Sequence, residues 1–449
     1  MTLLDPLFGD PEADALLSDA HFVASILRAE LALARAEAKA GVIPGSAVDA
    51  IAACVDVQEY NLSVIAAEAA TAGNLAIPLV RHLTARVSRV SADAARYVHW
   101  GATSQDVLDT GLVLQLRDAT AVIVRRLAQA GDAAATLAER YGDVVMPGRT
   151  WLQHATPVTF GLKAAGWMAA LDRARERVAD SLMEACVLQL GGASGTLASL
   201  GDRGEAVAVA MAAELGLSVP DLPWHAHRDR LAWLAAAFGI ATGTMGKVAR
   251  DLALLGQTEI GEAFEAAADG RGGSSTMPHK RNPVGASVVL GAAVRAPALV
   301  ATMLAALPQE HERGLGGWQA EWETMPALVR VTAGAARHTA EMLAGLEVDV
   351  GRMRENADMT GGVSLAESVS MALASHVGKS DAHRMIEAAS RLALAEHRSL
   401  SDVLAEMPEV TTHLSATEIA LCLDPERYLG STARFVRAAL DEHAGTRDS

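Results

Sequence analysis

Aromatic residues and cysteines are both scarce in this chain of 449 residues. Phenylalanine, tryptophan and tyrosine together make up 4% of it, and its three cysteines are Cys54, Cys186 and Cys422. Because these cysteines lie far apart in the sequence, they match neither the paired spacing of a zinc site nor that of a redox motif. The scarcity of cysteine therefore argues against cysteine-based metal or redox chemistry.

The chain also lacks an excess of basic residues and a convincing membrane span. Its formal net charge of -16 argues against nucleic acid as a partner. The longest apolar run without charge, residues 231–246, is too short and too rich in glycine for a membrane span. The first residues, MTLLDPLFGDPEAD, are acidic and interrupted by proline, unlike a signal peptide. We expect a cytoplasmic protein whose anionic substrate, if it has one, meets a local positive site.

What the chain has in abundance is alanine within helical patterns. Hydrophobic residues make up 51% of it and charged residues 20%, as in a globular protein. Alanine is the best helix former, and its small side chain lets helices approach closely. The composition thus predicts an all-α protein.

Apolar residues repeat every three or four positions over long stretches. In 112–141 they form one helix face: Leu112, Leu116, Ala119, Ile123, Leu127, Ala130, Ala134 and Leu137. In 227–264 they alternate three and four without a slip: Leu231, Leu234, Phe238, Ala241, Met245, Val248, Leu252 and Leu255. Three glycines interrupt the second helix at about 1 kcal/mol each, a cost that close contact with a neighbouring helix would offset.

Similar patterns predict five long helices: 112–141, 157–190, 227–264, 284–307 and 326–346. Long helices at this spacing form a bundle, and their two-sided apolar surfaces suggest that bundles from several chains pack together. Shorter helical stretches, such as 20–41 and 46–57, lie on either side. The sequence therefore predicts an N-terminal helical domain over 1–110, a long-helix bundle over 111–350 and a C-terminal helical domain over 351–449.

Chemistry is expected in the loops that join these helices, and three of them carry polar or glycine-rich sequences. HWGATSQD (99–106) either caps the first long helix or binds a carboxylate through His99, hydroxyls and helix-start N–H groups. GRTWLQHATP (148–157) and QLGGASGT (189–196) are each compatible with a plain connection or turn as well as with a site.

A fourth loop, GGSSTMPHKRNP (272–283), concentrates hydroxyls and basic groups. It shows no helix or strand period. It also differs from a phosphate-binding loop, which needs Gly-Lys followed by serine or threonine. A plain solvated loop has no need for this combination, so we expect 272–283 to contribute to a site for negative charge.

GGSSTMPHKRNP resembles the signature loop of the fumarase/aspartase superfamily, and HWGATSQD and GRTWLQHATP resemble two other regions of that family. The resemblance covers nearly the whole chain. It implies an all-α fold with a central five-helix bundle between two smaller helical domains. It also implies cleavage or formation of a C–N or C–O bond β to a carboxylate, through an aci-carboxylate. A homotetramer whose active sites each take loops from three subunits is implied as well.

The resemblance assigns roles to particular residues. Ser274 matches the family's catalytic serine, and Lys280 and Asn282 would stabilise the charge that develops on the aci-carboxylate. The serine could act only if loop N–H groups and the lysine favour its alkoxide. Further groups are expected to bind the substrate: His99, Thr103, Ser104, Trp151, Gln153, His154 and Arg313.

Two residues depart from the family pattern. The lyases usually carry a histidine, the general acid for the leaving group, where this chain has Trp151. A carboxylate that orients this histidine usually stands at the position of Ser287. Loss of both suggests an intramolecular reaction in which a carboxylate adds or departs and needs no acid. The pattern resembles the superfamily's cycloisomerases, which implies a tricarboxylate substrate, a γ-lactone product and no metal or organic cofactor.

Several alternatives stay open at this point. Another lyase of the superfamily, above all adenylosuccinate lyase, has a similar signature loop, and an inactive structural tetramer would share the fold. His154 either binds a carboxylate or relays a proton. His225 and His227 are more compatible with a helix start than with a metal site. Arg228 and Arg230 either reach the site or pair with acids.

Overall fold

The computed structural model describes residues 3–266, 277 and 280–446. Almost all regular structure in this part of the chain is helical. Before the long helices come six shorter ones: α1 Asp5–Phe8, α2 Pro11–Leu16, α3 Asp19–Lys39, α4 Ser46–Ala52, α5 Leu62–Ala72 and α6 Ala76–Val90.

The five predicted long helices are present, with a short helix among them. Their bounds are α7 Ser104–Arg140, α8 Phe160–Ala185, α9 Gly204–Leu215, α10 Asp229–Leu255, α11 Val284–Ala305 and α12 Gly317–Ala344. Every apolar position predicted to line a face of α7 or α10 is buried. The all-α prediction is therefore confirmed, and the helical period alone located these interior faces.

Shorter helices follow the long ones, as the sequence predicts. They are α13 Val350–Asp358, α14 Ala366–Val377, α15 Lys379–Glu396, α16 Leu400–Ala405, α17 Pro408–Thr411, α18 Ala416–Cys422 and α19 Thr432–Gly445. Among the described residues there are also four strands: β1 Val145–Thr150, β2 Gln153–Thr159, β3 Ala263–Phe264 and β4 Glu347–Val348. They form two antiparallel pairs, β1–β2 and β3–β4.

Some predicted helix ends are wrong, and tertiary contacts explain them. The helix predicted over 227–264 ends at Leu255, because Ala263 and Phe264 pair with the strand that precedes α13. The helix predicted from residue 326 begins at Gly317, so Pro326 lies inside it. Proline removes one backbone hydrogen bond, but the buried Trp318 in an earlier turn packs in the core and favours the helix.

The expected close contact at the glycines of α10 is found at two of three positions. A Cβ atom on Gly239 would lie 2.7 Å from Val300, and one on Gly246 would lie 2.7 Å from Ala293, both on α11. No atom of the described residues lies within 4 Å of the corresponding point at Gly243. Two of the glycines therefore allow α10 and α11 to pack closely.

The chain divides into two compact units of discontinuous sequence. Unit 1 comprises 1–127, 174–246 and 288–338, and unit 2 comprises 128–173, 247–287 and 339–449. The core of unit 1 includes Ile26, Leu79 and Leu83, whereas α14, α15 and α16 enclose a separate core in unit 2. The three-part division expected from the sequence stays a prediction.

Two described helices, α10 and α11, are long and apolar enough to cross a membrane by length and composition alone. In α10 the apolar window is 61% buried within the chain, as in the core helix of a soluble protein. In α11 it is 28% buried. The second helix therefore presents an apolar surface that the described chain does not cover.

Candidate active site

The carboxylate of Asp106 joins three loop segments of unit 1. It accepts hydrogen bonds from the backbone N–H groups of Thr103, Gly191 and Gly192, each at 2.9 Å. The Nε2 atom of His225 lies 2.7 Å from the same carboxylate, and Asp106 is fully buried. One buried charge with four partners thus fixes the start of α7, the glycine-rich turn and the segment before α10.

The glycine-rich turn is required by close approach to these neighbours. A Cβ atom on Gly191 would lie 2.7 Å from the ring of His225, and one on Gly192 would lie 3.0 Å from the carbonyl oxygen of Gly101. Gly192 also has φ +68°, a conformation that side chains disfavour. The turn therefore does more than reverse the chain, because its backbone N–H groups reach the buried carboxylate.

Arg228 lies at the centre of a second buried network in unit 1. Its guanidinium donates to Asp109 at 2.6 and 3.0 Å and to Glu321 at 2.6 Å, and it stacks 4.6 Å from the ring of Trp224. Burial acts to lower the pKa of Arg228, but the two carboxylates raise it above its ordinary value. Arg228 therefore pairs with acids, which settles one of the alternatives left open by the sequence. Arg230 is partly exposed.

His99 is held by a carboxylate from α3. Its Nδ1 atom lies 2.6 Å from Oε1 of Glu30, which is 2% exposed. The backbone of His99 has φ +57°, a left-handed conformation that is uncommon for a residue with a side chain. Burial lowers the pKa of His99, but the negative charges of Glu30 and Asp106 outweigh burial and raise it.

Arg313 lies beside the same loops. Its Nε atom donates to Oε1 of Gln105 at 3.1 Å, and its guanidinium donates to the carbonyl oxygen of Ala193 at 3.2 Å. Because Gln105 precedes Asp106, the structure brings Arg313 to the start of α7. Four of the predicted substrate-binding residues therefore lie in unit 1, at or beside the start of α7: His99, Thr103, Ser104 and Arg313.

Three other predicted residues lie on a hairpin in unit 2. The sequence of 148–157 is compatible with a plain connection between helices, but the structure forms an antiparallel pair in which Thr150 lies opposite Gln153. The two turn residues, Trp151 and Leu152, have φ +54° and +65°. Tight hairpin turns with two left-handed residues favour Asn-Gly. The Trp-Leu pair at this turn therefore does not predict a hairpin.

The hairpin has an anchored base and an exposed tip. The guanidinium of Arg149 donates to both carboxylate oxygens of Glu262, at 2.8 and 2.6 Å, and Asn356 donates to the same carboxylate at 2.7 Å. The tip residues are 96% exposed at Trp151 and 79% exposed at Leu152. The Arg149–Glu262 ion pair thus anchors the base of the hairpin, while its strained tip is exposed.

His154 lies next to that ion pair, opposite Arg149 in the strand register. Burial and the positive charge of Arg149 lower the pKa of His154, against a weaker opposing influence of Glu262. The imidazole is therefore neutral at pH 7. Gln153, its predicted companion in substrate binding, is exposed.

The signature segment is described from Lys280 onward, with Met277. Lys280 is exposed and Asn282 is half-buried. Between them, Arg281 donates to Glu347 at 2.8 Å and to the carbonyl oxygen of Glu265 at 2.6 Å. Arg281 thus anchors the segment while the side chain of Lys280 projects into solvent. Ser274 lies outside the described residues.

Comparisons with known proteins identify the family. Residues 9–298 match the family described as "Lyase", and residues 362–439 match "Adenylosuccinate lyase C-terminus". The chain belongs to this lyase family. The resemblance to the fumarase/aspartase superfamily is thereby confirmed.

Individual relatives of this lyase extend over nearly its whole length. It is 50% identical over 98% of the chain to a protein of Pseudomonas aeruginosa named 3-carboxy-cis,cis-muconate cycloisomerase, of which 96% is covered. A crystal structure of 3-carboxy-cis,cis-muconate lactonizing enzyme from Pseudomonas putida matches with a TM-score of 0.94 at 47% identity, covering 99% of both chains. A nitrosuccinate lyase of Streptomyces davaonensis is 40% identical over 98% of this chain and 94% of its own.

Ser287, which the sequence predicts to stand where the family keeps an orienting carboxylate, has a local hydrogen bond. The hydroxyl of Ser287 donates to the carbonyl oxygen of Val284 at 2.8 Å, within the first turn of α11. A hydroxyl committed to its own helix provides no negative charge for orienting an imidazolium. Among the described residues, no group of three or more His, Cys, Asp and Glu side chains could hold a metal ion.

The buried partners in these networks were not predicted from the sequence: Glu30, Asp109, Glu262, Glu321 and Asn356. Each is a common residue type inside or beside a helix, without a local motif. A buried carboxylate could have been suspected only where a charge interrupts an otherwise apolar helix face. Glu30 fits that signal on α3, although the sequence gives no hint of its partner.

Proposed function

We propose that the chain catalyses lactonisation of 3-carboxy-cis,cis-muconate to 4-carboxymuconolactone. The names of the relatives and their near-complete coverage support this substrate. The reaction belongs to bacterial degradation of protocatechuate through the β-ketoadipate pathway, where a cytoplasmic enzyme without metal or organic cofactor would act.

The observation that carries this proposal is the state of the two positions where the family keeps its acid pair. Position 151 holds a fully projecting indole on a strained turn, and Ser287 donates its hydroxyl to its own helix. Neither group titrates near neutral pH. Such a site suits a reaction in which an internal carboxylate is the nucleophile in one direction and the leaving group in the other.

The proposed chemistry is an intramolecular conjugate addition. An oxygen of one terminal carboxylate attacks the carbon that bears the middle carboxyl group, and the electron pair of the double bond moves toward the other terminal carboxylate. That carboxylate becomes an aci-carboxylate dianion, which Lys280 and Asn282 stabilise. Protonation of the adjacent carbon completes the lactone, so the trianion takes up one proton and becomes a dianion. Ser274 is the proposed proton-transfer group.

Carboxylate binding is assigned to the two sets of residues described above. His99 and Arg313 provide positive charge and Thr103 and Ser104 provide hydroxyls in unit 1. Gln153 and His154 provide neutral hydrogen-bonding groups in unit 2, where Trp151 forms an apolar wall that excludes water. Three carboxylates need several such partners, because each would otherwise lose its hydration without compensation.

We further propose that the working form is a homotetramer whose active sites combine loops from three subunits. Two surfaces support this. The apolar window of α11 has mean hydropathy 1.9 but is 28% buried within the chain, and Val294 is 77% exposed. The hairpin tip presents Trp151 and Leu152 to solvent. Light scattering coupled to size exclusion tests this directly, and a monomer with full activity would contradict it.

A substrate panel tests the proposed function. Lactonisation breaks the conjugated diene, so ultraviolet absorbance should fall when the enzyme meets 3-carboxymuconate. Adenylosuccinate, argininosuccinate, malate and aspartate serve as controls that require an acid for the leaving group. Comparable turnover of any of these four would show that an acid is supplied elsewhere and that the assignment is wrong. Turnover of none of the five would favour a non-catalytic tetramer.

A further inference from the structure

The contact between His99 and Glu30 has a functional consequence. We propose that Glu30 is a positioning residue: it binds the Nδ1 side of His99 and keeps the ring cationic, with Nε2–H directed to a substrate carboxylate. The proposal rests on the proposed function only for the identity of that substrate. The coupling between the two side chains is measurable without turnover.

The geometry leaves Glu30 little other role. Its Oε1 atom lies 2.6 Å from Nδ1 of His99, whereas its Oε2 atom is buried and has no hydrogen-bond partner among the described residues. A buried carboxylate needs a charged or strongly donating partner, and the imidazole is the one available to it here. Within the same part of the chain, no hydrogen bond engages Nε2 of His99, whose side chain is 18% exposed. The ring is therefore fixed on one side and accessible on the other.

The charges around the imidazole favour its protonated form. Burial lowers the pKa of His99, whereas Glu30 from α3 and Asp106 from α7 raise it, with a net increase. His225 shares the carboxylate of Asp106, and Tyr60 and Glu37 lie in the electrostatic surroundings of Glu30. The cation is thus fully present at low pH and is lost as pH rises through the raised pKa.

Glu37 provides an internal control for Glu30. It lies on the same helix as Glu30 and is fully buried, but both of its carboxylate oxygens lack a partner among the described residues. Burial, with a smaller influence of Glu30, raises the pKa of Glu37 to about 8. Glu37 is therefore neutral at pH 7. Of two buried glutamates on α3, only Glu30 has a hydrogen-bond partner among the described residues, and that partner is His99 in a candidate active-site loop.

The experiment compares Glu30→Gln with Glu37→Gln in the full-length enzyme. Histidine Cε1 resonances are titrated by NMR, and the signal of His99 is assigned through its loss in His99→Gln. In Glu30→Gln the pKa of His99 should fall by about one unit, which would reduce the cationic fraction near neutral pH up to tenfold. The KM for 3-carboxymuconate should rise correspondingly while kcat changes less. Glu37→Gln should leave the titration and the kinetics unchanged below pH 8.

Glu30→Asp keeps the proposal testable if Glu30→Gln does not fold, and a double variant tests the coupling if it does. Glu30→Asp retains the charge at a shorter reach and should show a smaller decrease of the same pKa. The double variant Glu30→Gln/His99→Gln should be no worse than His99→Gln alone, because Glu30 acts through the ring. Unchanged titration of His99 in a folded Glu30 variant, or additive losses in the double variant, would overturn the proposal. If the wild type is inactive on 3-carboxymuconate, the titration still decides the coupling.

Discussion

Asp106 in unit 1 and Trp151 in unit 2 both lie in segments that the sequence marks as active-site loops, but their surroundings differ sharply. The carboxylate of Asp106 is fully buried and has four hydrogen-bond partners from its own chain. Trp151 is 96% exposed at the tip of a hairpin with left-handed backbone. The buried carboxylate of the first segment has its partners within the chain, whereas the second presents an apolar surface that the described part of the chain leaves exposed.

The difference indicates a division of labour. Buried charges with matched partners hold a loop in one conformation, because any movement would leave a charge without its hydrogen bonds. An exposed aromatic on a strained turn gains little in an isolated chain, so its position makes sense where it packs against substrate or another copy. Unit 1 thus holds its loop residues in a preformed arrangement, whereas the hairpin tip of unit 2 projects an apolar surface.

The most severe test of the buried charge network in unit 1 removes its central cation, Arg228. Arg228→Met should lower the free energy of unfolding by about 4 kcal/mol, because Asp109 and Glu321 would stay buried without a counter-charge. Urea denaturation measures this loss. Arg230→Met, two residues away and partly exposed, is the control and should change stability little. A loss below about 1 kcal/mol in Arg228→Met would mean that the network relaxes and that unit 1 is not rigidly preformed.

Replacement of the exposed Lys280 in unit 2 should lower turnover and leave stability unchanged. Lys280→Met is expected to reduce kcat roughly 10²-fold, because one donor to the aci-carboxylate is lost, while the urea midpoint stays unchanged. Steady-state kinetics on 3-carboxymuconate measure the effect. Lys379→Met removes another exposed lysine, at the start of α15, and should be silent. A decrease below about fivefold would remove Lys280 from the proposed mechanism.

Relief of backbone strain at the hairpin tip should change stability and activity in opposite directions. Leu152→Gly should raise the free energy of unfolding by about 1 kcal/mol, because glycine adopts the left-handed conformation without cost. Activity should fall, since the tip loses its apolar side chain. His397→Gly is the matched control: His397 ends α15 with φ +52° and lies on an exposed surface. It should give a similar gain in stability with unchanged kinetics. Equal activity in both variants would show that the tip is not part of the site.

The smallest expected effect concerns the indole at the tip. Trp151→Phe keeps most of the apolar wall and should retain much of the activity. Trp151→His should not create adenylosuccinate or fumarate lyase activity, because Ser287 cannot orient the new imidazole. The substrate panel measures both outcomes. New lyase activity in Trp151→His would mean that the tip tolerates acid chemistry, contrary to the proposed division.

His154 offers a test by pH. Because its pKa is lowered, its contribution to stability is present above pH 6.5 and is lost as pH falls through the folded-state value. If His154 only binds a carboxylate, His154→Gln should change KM by less than about threefold at pH 7, where the wild-type ring is neutral. A fall in kcat beyond about tenfold, on the other hand, would identify a proton relay.

Local sequence was a good guide to the helices and a poor one to the contacts between distant residues. The period of three and four found the buried faces of α7 and α10, because helix geometry places such positions on one side. The hairpin was missed because Trp151 and Leu152 are unusual turn residues, and the start of α12 was missed because Pro326 is a poor helix residue. In both places packing of buried neighbours overrides local preference.

By itself, the sequence determined the helical class and the approximate positions of the long helices, since these depend on neighbours within one or two turns. Only the tertiary structure decided the partners. Glu30 is 69 residues from His99, Asp106 is 119 from His225, and Arg228 is 93 from Glu321. A buried charge takes whichever opposite group the packed helices bring within about 3 Å, and no local pattern encodes that choice.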